Sequence, residues 1–259
     1  MIKPVLHYFN LADEVVCFST TRHGGVSKGK LATLNINPHR GDEPSAVAEN
    51  LQAVAVEIGV QADKVIRLHQ IHETHCLTVT DAFFRLSVAE QYEMEEGKDA
   101  VVTDCRNVCI GVHTADCVPV LFYDPVHHAI GAAHAGWRGT VQRIAQHTLR
   151  KMTELYGTDP KELKAVVGPC ISQKNFEVGQ EVYDAFSAAG FPMERIARMY
   201  EKWHIDLPLC NQFQLEELGV HAANILQSGI CTYDNASDFF SARILKEGFG
   251  TIYTGIALK

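Results

Sequence analysis

Cys117 and His134 are the two side chains in residues 112–139 whose types suit a metal ion or a nucleophile–base pair. Two apolar runs, 118–123 and 129–133, flank Asp124-Pro125-Val126-His127. Proline presets φ and an aspartate side chain can bond the backbone ahead of it, so Asp-Pro starts a turn. Two β-rich runs around such a turn predict a hairpin. With the turn centred between Pro125 and Val126, Cys117 falls directly opposite His134. Opposed side chains share a face, with Cβ atoms about 4.5–5.5 Å apart. That is within reach of one small metal ion or of a thiolate–imidazole pair.

A third partner should come from another strand end, where polar loops gather sites. His72, at the end of His69-Gln70-Ile71-His72, is the candidate. One Cys with two His is a zinc arrangement that leaves a fourth position for water, and it also suits copper(I). Simple burial competes with this reading, because an unpaired cysteine is often just a small apolar side chain. The flanking Thr114-Ala115-Asp116 and Ala135-Gly136-Trp137-Arg138-Gly139 favour function, since a glycine turn opening a helix sets a cation and backbone N–H groups nearby. Asp116 reads as an acceptor for a ligand or as a turn former. Trp137 reads as a packing anchor. His69 and His75 cannot share an extended face with His72 and read as solvated. His23 and His147 read as ordinary surface residues.

The elements that must hold these residues follow from periodicity. Residues 15–20 predict a strand running into Thr21-Arg22-His23-Gly24-Gly25, and residues 34–42 a polar loop containing His39-Arg40-Gly41-Asp42. Asp42 is placed to cap a helix over 44–58, with Pro44 in its first turn and Gly59 as its stop. Strands are expected at 65–68, 76–80, 100–103 and 108–113, with an irregular acidic excursion at 85–98. Helices are expected at 140–156, 176–189 and 208–218, and further strands at 165–167, 204–207, 230–233 and 250–256. Helices and strands interleave, but adjacent short strands resemble hairpins more than βαβ units. The class is therefore α+β, a single-domain α/β sandwich with mixed sheets spanning residues 1–259.

Composition narrows the function classes. The 259 residues carry a formal charge of −8, which argues against a nucleic-acid face. An apolar share of 46% suits a chain with a sizeable core. No stretch approaches the roughly 18 apolar residues of a membrane helix, and residues 1–7 lack the apolar run of an export signal. The eight cysteines contain no CxxC pair and read as reduced thiols of a cytoplasmic protein.

Several segments resemble the YfiH/multicopper polyphenol oxidase (laccase-like) family. They are Thr-Ala-Asp-Cys-Val-Pro-Val-Leu at 114–121, His-Ala-Gly-Trp-Arg-Gly at 134–139 and Val-Gly-Pro-Cys-Ile-Ser at 167–172, with Gln-Ile-His at 70–72 and Phe-Phe-Ser-Ala-Arg at 239–243. The resemblance runs in family order over nearly the whole chain. It implies a fold related to bacterial toxin deamidase domains. It implies a zinc or copper centre on His72, Cys117 and His134. It also implies phosphorolysis of adenosine, inosine and methylthioadenosine, deamination of adenosine, and purine nucleoside and phosphate as partners, by a monomer or weak homodimer. Other members are described as phenol oxidases or as editors of cell-wall precursors. The chain departs from the family at Ala242-Arg243-Ile244 and Thr254-Gly255-Ile256.

Zinc lowers the pKa of water toward ~7, which suits deamination at the purine C6. Phosphorolysis instead needs an anion pocket. Arg22, His39 and Arg138 are the candidates, because a guanidinium fork matches phosphate oxygens. Three other readings stay open: a Cys–His hydrolase with Cys117 as nucleophile and His134 as base, a copper-dependent phenol oxidase, and a closed structural zinc with a fourth protein ligand.

Overall fold

A computed structural model describes residues 2–259. The strands are β1 Leu6–Phe9, β2 Val15–Thr20, β3 Cys76–Thr78, β4 Ala100–Thr103, β5 Cys109–Thr114, β6 Val118–Asp124, β7 Ala129–Ala135, β8 Lys164–Val167, β9 Glu177–Val178, β10 Ala197–Met199, β11 Trp203–Ile205, β12 Ile225–Gln227 and β13 Ile252–Leu258. The helices are α1 Pro44–Ile58, α2 Val88–Glu95, α3 Trp137–Val141, α4 Ile144–Tyr156, α5 Gln180–Ala188, α6 Met193–Ile196, α7 Leu207–Glu217 and α8 Ala242–Leu245.

The class is α+β. An antiparallel sheet of order β1-β2-β13-β5 packs on a mixed sheet of order β12-β8-β6-β7-β4-β3, and a small separate sheet β10-β11-β9 adds Val178, Ala197 and Ile205 to the core on the outer side of the mixed sheet. Between the two large sheets sit Ile110, Val112 and Ile256 from one side and Leu121, Tyr123 and Ile130 from the other. The outer face of the mixed sheet, through Val120, Phe122 and Ala133, meets Leu149 and Met152 of α4 and Phe213 of α7. The outer face of the antiparallel sheet, through Phe18 and Tyr253, meets Leu51 and Val54 of α1. Four layers result. β6 and β7 are buried along their full length, which explains why they read as unbroken apolar runs rather than alternating ones.

Several expected elements take another form. α1 has the predicted bounds, with Gly59 in the left-handed region at its end, but Glu43 precedes it and makes no side-chain cap. Asp42 instead accepts from Ser27 Oγ at 2.6 Å and Asn35 Nδ2 at 2.9 Å. The 140–156 helix is two helices, broken where Arg143 turns left-handed at φ 65°. The excursion at 85–98 contains α2, started by a reciprocal capping box of Ser87 and Glu90. Residues 65–68 form only isolated bridges, Val65 to Cys109 and, just beyond them, His69 to Glu96. Residues 176–189 turn helical only at Gln180, because the preceding Glu177–Val178 pairs with β11. The late edge strand is Ile225–Gln227, parallel to β8, rather than 230–233.

Candidate active site

The hairpin forms, but its register differs from expectation by two residues. The turn takes residues 125–128, and Pro119, not Cys117, opposes His134. Asp124 stretches the turn by accepting from the backbone N–H of Val126 and His127 at 2.9 and 3.1 Å. An even offset leaves every side chain on its original face. Cys117 therefore becomes a diagonal neighbour of His134, still within reach.

Cys117 sits where the chain passes from β5 in one large sheet to β6 in the other. Asp116 makes that passage with φ 83°. Its carboxylate accepts from Thr232 Oγ1 at 2.7 Å, Ser241 Oγ at 3.0 Å and the Arg243 N–H at 2.7 Å. Asp116 thus ties the turn to the C-terminal segment and leaves His72 and His134 to another acid.

That acid is Asp99, fully buried immediately before β4. Its Oδ1 lies 2.7 Å from His134 Nδ1, and its two oxygens also accept the N–H groups of Ile71, His72 and Glu73 at 3.1, 2.9 and 2.9 Å. A carboxylate only accepts, so Nδ1 of His134 carries the hydrogen and Nε2 is left free to coordinate. The same contacts fix the loop that presents His72, whose backbone is left-handed at φ 67°. Gln70 adds a second anchor, donating to the His113 carbonyl at 2.8 Å and accepting from its N–H at 2.7 Å.

The ligand atoms of His72, Cys117 and His134 all lie within 4.8 Å of one another, and the Cys117 Sγ to His72 Nε2 distance is 4.0 Å. Glycine at 136 makes room for the trio: a Cβ there would stand 3.1 Å from Cys117 Sγ and 3.1 Å from the His72 ring. A soft thiolate, two imidazoles and this hollow fit zinc or copper(I). The group has three members among the described residues, short of the four ligands of a closed structural zinc.

Electrostatics favour a thiolate beside an imidazolium in the metal-free site, and a bound metal would take the place of the His134 Nε2 proton. Burial alone pushes the Cys117 thiol up, but the adjacent His134 and then His72 reverse this and bring it to about 6. Burial likewise disfavours the His134 cation, yet Cys117 and Asp99 raise it to about 9. Burial opposes the Asp99 carboxylate, and His134 nonetheless holds it below the usual range.

The trio lines a cavity together with Asn37, His39, Arg40, His69 and His113. Of the three residues expected to bind phosphate, only His39 lies on it. Arg22 donates to the carbonyls of Ala32 and Ala236 at 3.1 and 3.0 Å and stands over the Phe240 ring. It staples two loops and does not line the cavity. Arg138 is exposed and lies over Trp137, 4.3 Å from the ring centre. It is not among the residues that line the cavity. His75 is exposed, as expected, beside Glu73. His69 departs from its solvated reading: it stacks on His39 at 4.1 Å and is held by Glu96 at 2.6 Å. Asp99 and His113 were legible only as a lone acid abutting an apolar strand and a histidine ending one.

Comparison with known proteins extends this geometry. The family model described as multi-copper polyphenol oxidoreductase laccase matches residues 16–259. The chain belongs to this laccase-like family. It is 41% identical over 261 aligned positions to a protein named purine nucleoside phosphorylase from Bacteroides thetaiotaomicron, covering 99% of this chain and 97% of that one. It is 36% identical to a protein named adenosine deaminase RL5 from an unknown prokaryotic organism, covering 98% of each. Among solved structures, the YfiH protein of Bacillus licheniformis superposes with a TM-score of 0.91 at 30% identity, covering 99% of this chain and 97% of that one.

Proposed function

We propose that the whole chain is one catalytic domain that acts on purine nucleosides, splitting adenosine, inosine and methylthioadenosine with phosphate and deaminating adenosine. The observation that carries this reading is the convergence of His72, Cys117 and His134 on a cavity, in a chain similar along almost its full length to a protein named purine nucleoside phosphorylase. His72, Cys117 and His134 would hold zinc, or copper(I) in its place. Bound there, zinc supplies Lewis acidity that makes water a nucleophile near neutral pH.

The chain's own residues do the rest. Asp99 keeps a hydrogen on His134 Nδ1 and so makes Nε2 the nitrogen that would coordinate. The depressed Cys117 thiol supplies a thiolate donor at neutral pH. Gly136 keeps the space before the trio open. For phosphorolysis, the cavity wall bearing His39 holds the anion. The departing base needs a proton as its bond to C1′ breaks.

Incubating the purified protein with adenosine, with and without phosphate, separates the activities. Inosine and ammonia report deamination, adenine reports phosphorolysis, and hypoxanthine reports the two in sequence. Cys117→Ala is expected to abolish metal retention and deamination. A variant that keeps both would remove the trio from the reading.

A second reading has its own support. With Cys117 lowered to about 6 and His134 raised to about 9, the two form a thiolate–imidazolium pair suited to nucleophilic hydrolysis of an amide. A chelated enzyme that keeps hydrolytic activity and loses it on alkylation of Cys117 would favour that chemistry.

A further inference from the structure

The side of the cavity away from the trio has an unusual polar balance. Arg40 is the one permanent cation among the described residues that line it, and no Asp or Glu lines it. The Arg40 Nε donates to the Phe249 carbonyl at 2.9 Å, and the guanidinium lies 4.3 Å over the Phe249 ring. Those contacts fix the stem and one donor. No carboxylate pairs with the remaining fork among the described residues.

Beside it, His113 is only 4% exposed and its Nε2 has no hydrogen-bond partner. Thr114, at 2% exposure, likewise leaves Oγ1 unpartnered. Two orphaned buried polar groups lining one cavity are costly unless something fills the site. Asn37 holds the loop bearing His39 and Arg40, accepting the His39 N–H at 2.9 Å. Burial pushes His39 and His113 below the ordinary imidazole range, so both meet a ligand as neutral hydrogen-bonding rings and Arg40 alone supplies charge. A half-buried guanidinium flanked by neutral donors matches a tetrahedral oxyanion.

We propose that Arg40, with His39 and His113, forms the phosphate subsite of this cavity, in place of Arg22 and Arg138, and that its ligand is free inorganic phosphate. The inference rests on the phosphorylase reading above. In the step it serves, an oxygen of HPO₄²⁻ bonds to ribose C1′ as the C1′–N9 bond breaks. The electron pair of that bond goes to N9 of the base, and the proton of HPO₄²⁻ ends on the free base. The products are ribose 1-phosphate and purine.

The test compares wild type, Arg40→Gln and Arg40→Lys, each checked for an unchanged circular dichroism spectrum. In Arg40→Gln the KM for phosphate rises at least tenfold and the ratio of phosphorolysis to deamination falls by the same factor, with partial recovery in Arg40→Lys. An unchanged phosphate KM in Arg40→Gln would overturn the subsite. A wild type without phosphorolysis would instead defeat the phosphorylase reading. The subsite is then judged by whether millimolar inorganic phosphate raises the melting temperature of wild type and not of Arg40→Gln. Phosphate carried on the substrate presents the same oxygens. Turnover of adenosine 5′-monophosphate in preference to adenosine, lost in Arg40→Gln, would overturn the assignment to free phosphate.

Discussion

Asp99 governs two of the three segments that carry the candidate ligands. It bonds the His134 ring and the three consecutive N–H groups around His72. An amide offers one acceptor oxygen where the carboxylate offers two, and it removes the charge that favours the His134 hydrogen on Nδ1. Asp99→Asn is therefore expected to weaken zinc binding about 10–100-fold, measured by competition with a coloured chelator. Unchanged affinity would reduce Asp99 to a packing residue. The thiol carries a second expectation. A group whose folded pKa lies below its unfolded value stabilises the fold above the unfolded value and loses that contribution as pH falls through the folded one. For Cys117 the span runs from 9.0 down to about 6. His134 runs the opposite way, contributing below 6.5 and losing the contribution as pH rises through about 9. The thiolate–imidazolium pair thus occupies the window from about 6 to about 9, and both values belong to the pair. Burial pushes Cys76 and Cys109 up to about 12. In chelated protein, iodoacetamide should label Cys117 ahead of these two, with a rate that rises through pH 6. Mass spectrometry of the digest reads this directly, and a rate rising only near pH 9 would contradict it.

At the scale of elements, what the chain revealed and withheld follows from range. The pairing of β6 with β7 and the limits of α1 are local, set by Asp124-Pro125 and by Pro44 and Gly59, so they were readable. Register was readable only to its parity, because turn length depended on whether Asp124 would reach the N–H groups of Val126 and His127. Parity sufficed to put Cys117 and His134 on one face. Asp99 and His113 were less visible, since their roles rest on β4 pairing with β7 and β5 pairing with β13, across long stretches of chain. The capping box of α2 is local, but the helix it starts buries no residue and carries no apolar stripe to mark it in the sequence. Gly136 joins β7 to α3 with an extended backbone, φ −62° and ψ 170°, that any residue adopts. Its need for glycine is thus set by the site and not by the chain. Gly136→Ala should leave the fold intact and crowd Cys117 and His72. Overpacking of this kind costs about 1–3 kcal/mol, which, taken from the bound state, is about 5- to 150-fold in metal affinity. Zinc titration alongside urea unfolding separates the two effects. A loss of stability with affinity unchanged would refute the assignment.

Over the whole molecule, the candidate centre lies where the two large sheets exchange chain. His113 lies near the end of β5 in one sheet, Cys117 follows in the passage, and His134 belongs to β7 in the other. His72 arrives on a loop pinned to the antiparallel sheet by Gln70 and to the mixed sheet by Asp99, which leads into β4. An unfolded chain separates these donors by long loops, so the coordinating geometry exists only when both sheets are packed. A ligand that binds the folded state alone stabilises it by mass action. Free zinc at a thousandfold above its dissociation constant should add about 4 kcal/mol, which for a chain of this size raises the melting temperature by roughly 8–16 °C. Calorimetry of chelated protein with stepwise zinc measures the shift. Cys117→Ala should melt at a temperature independent of zinc, while Cys105→Ala, a half-buried thiol bonded to Asp81 and outside the trio, should keep the full dependence. Equal zinc dependence in both variants would mean that the ion binds elsewhere and that the two sheets do not build its site.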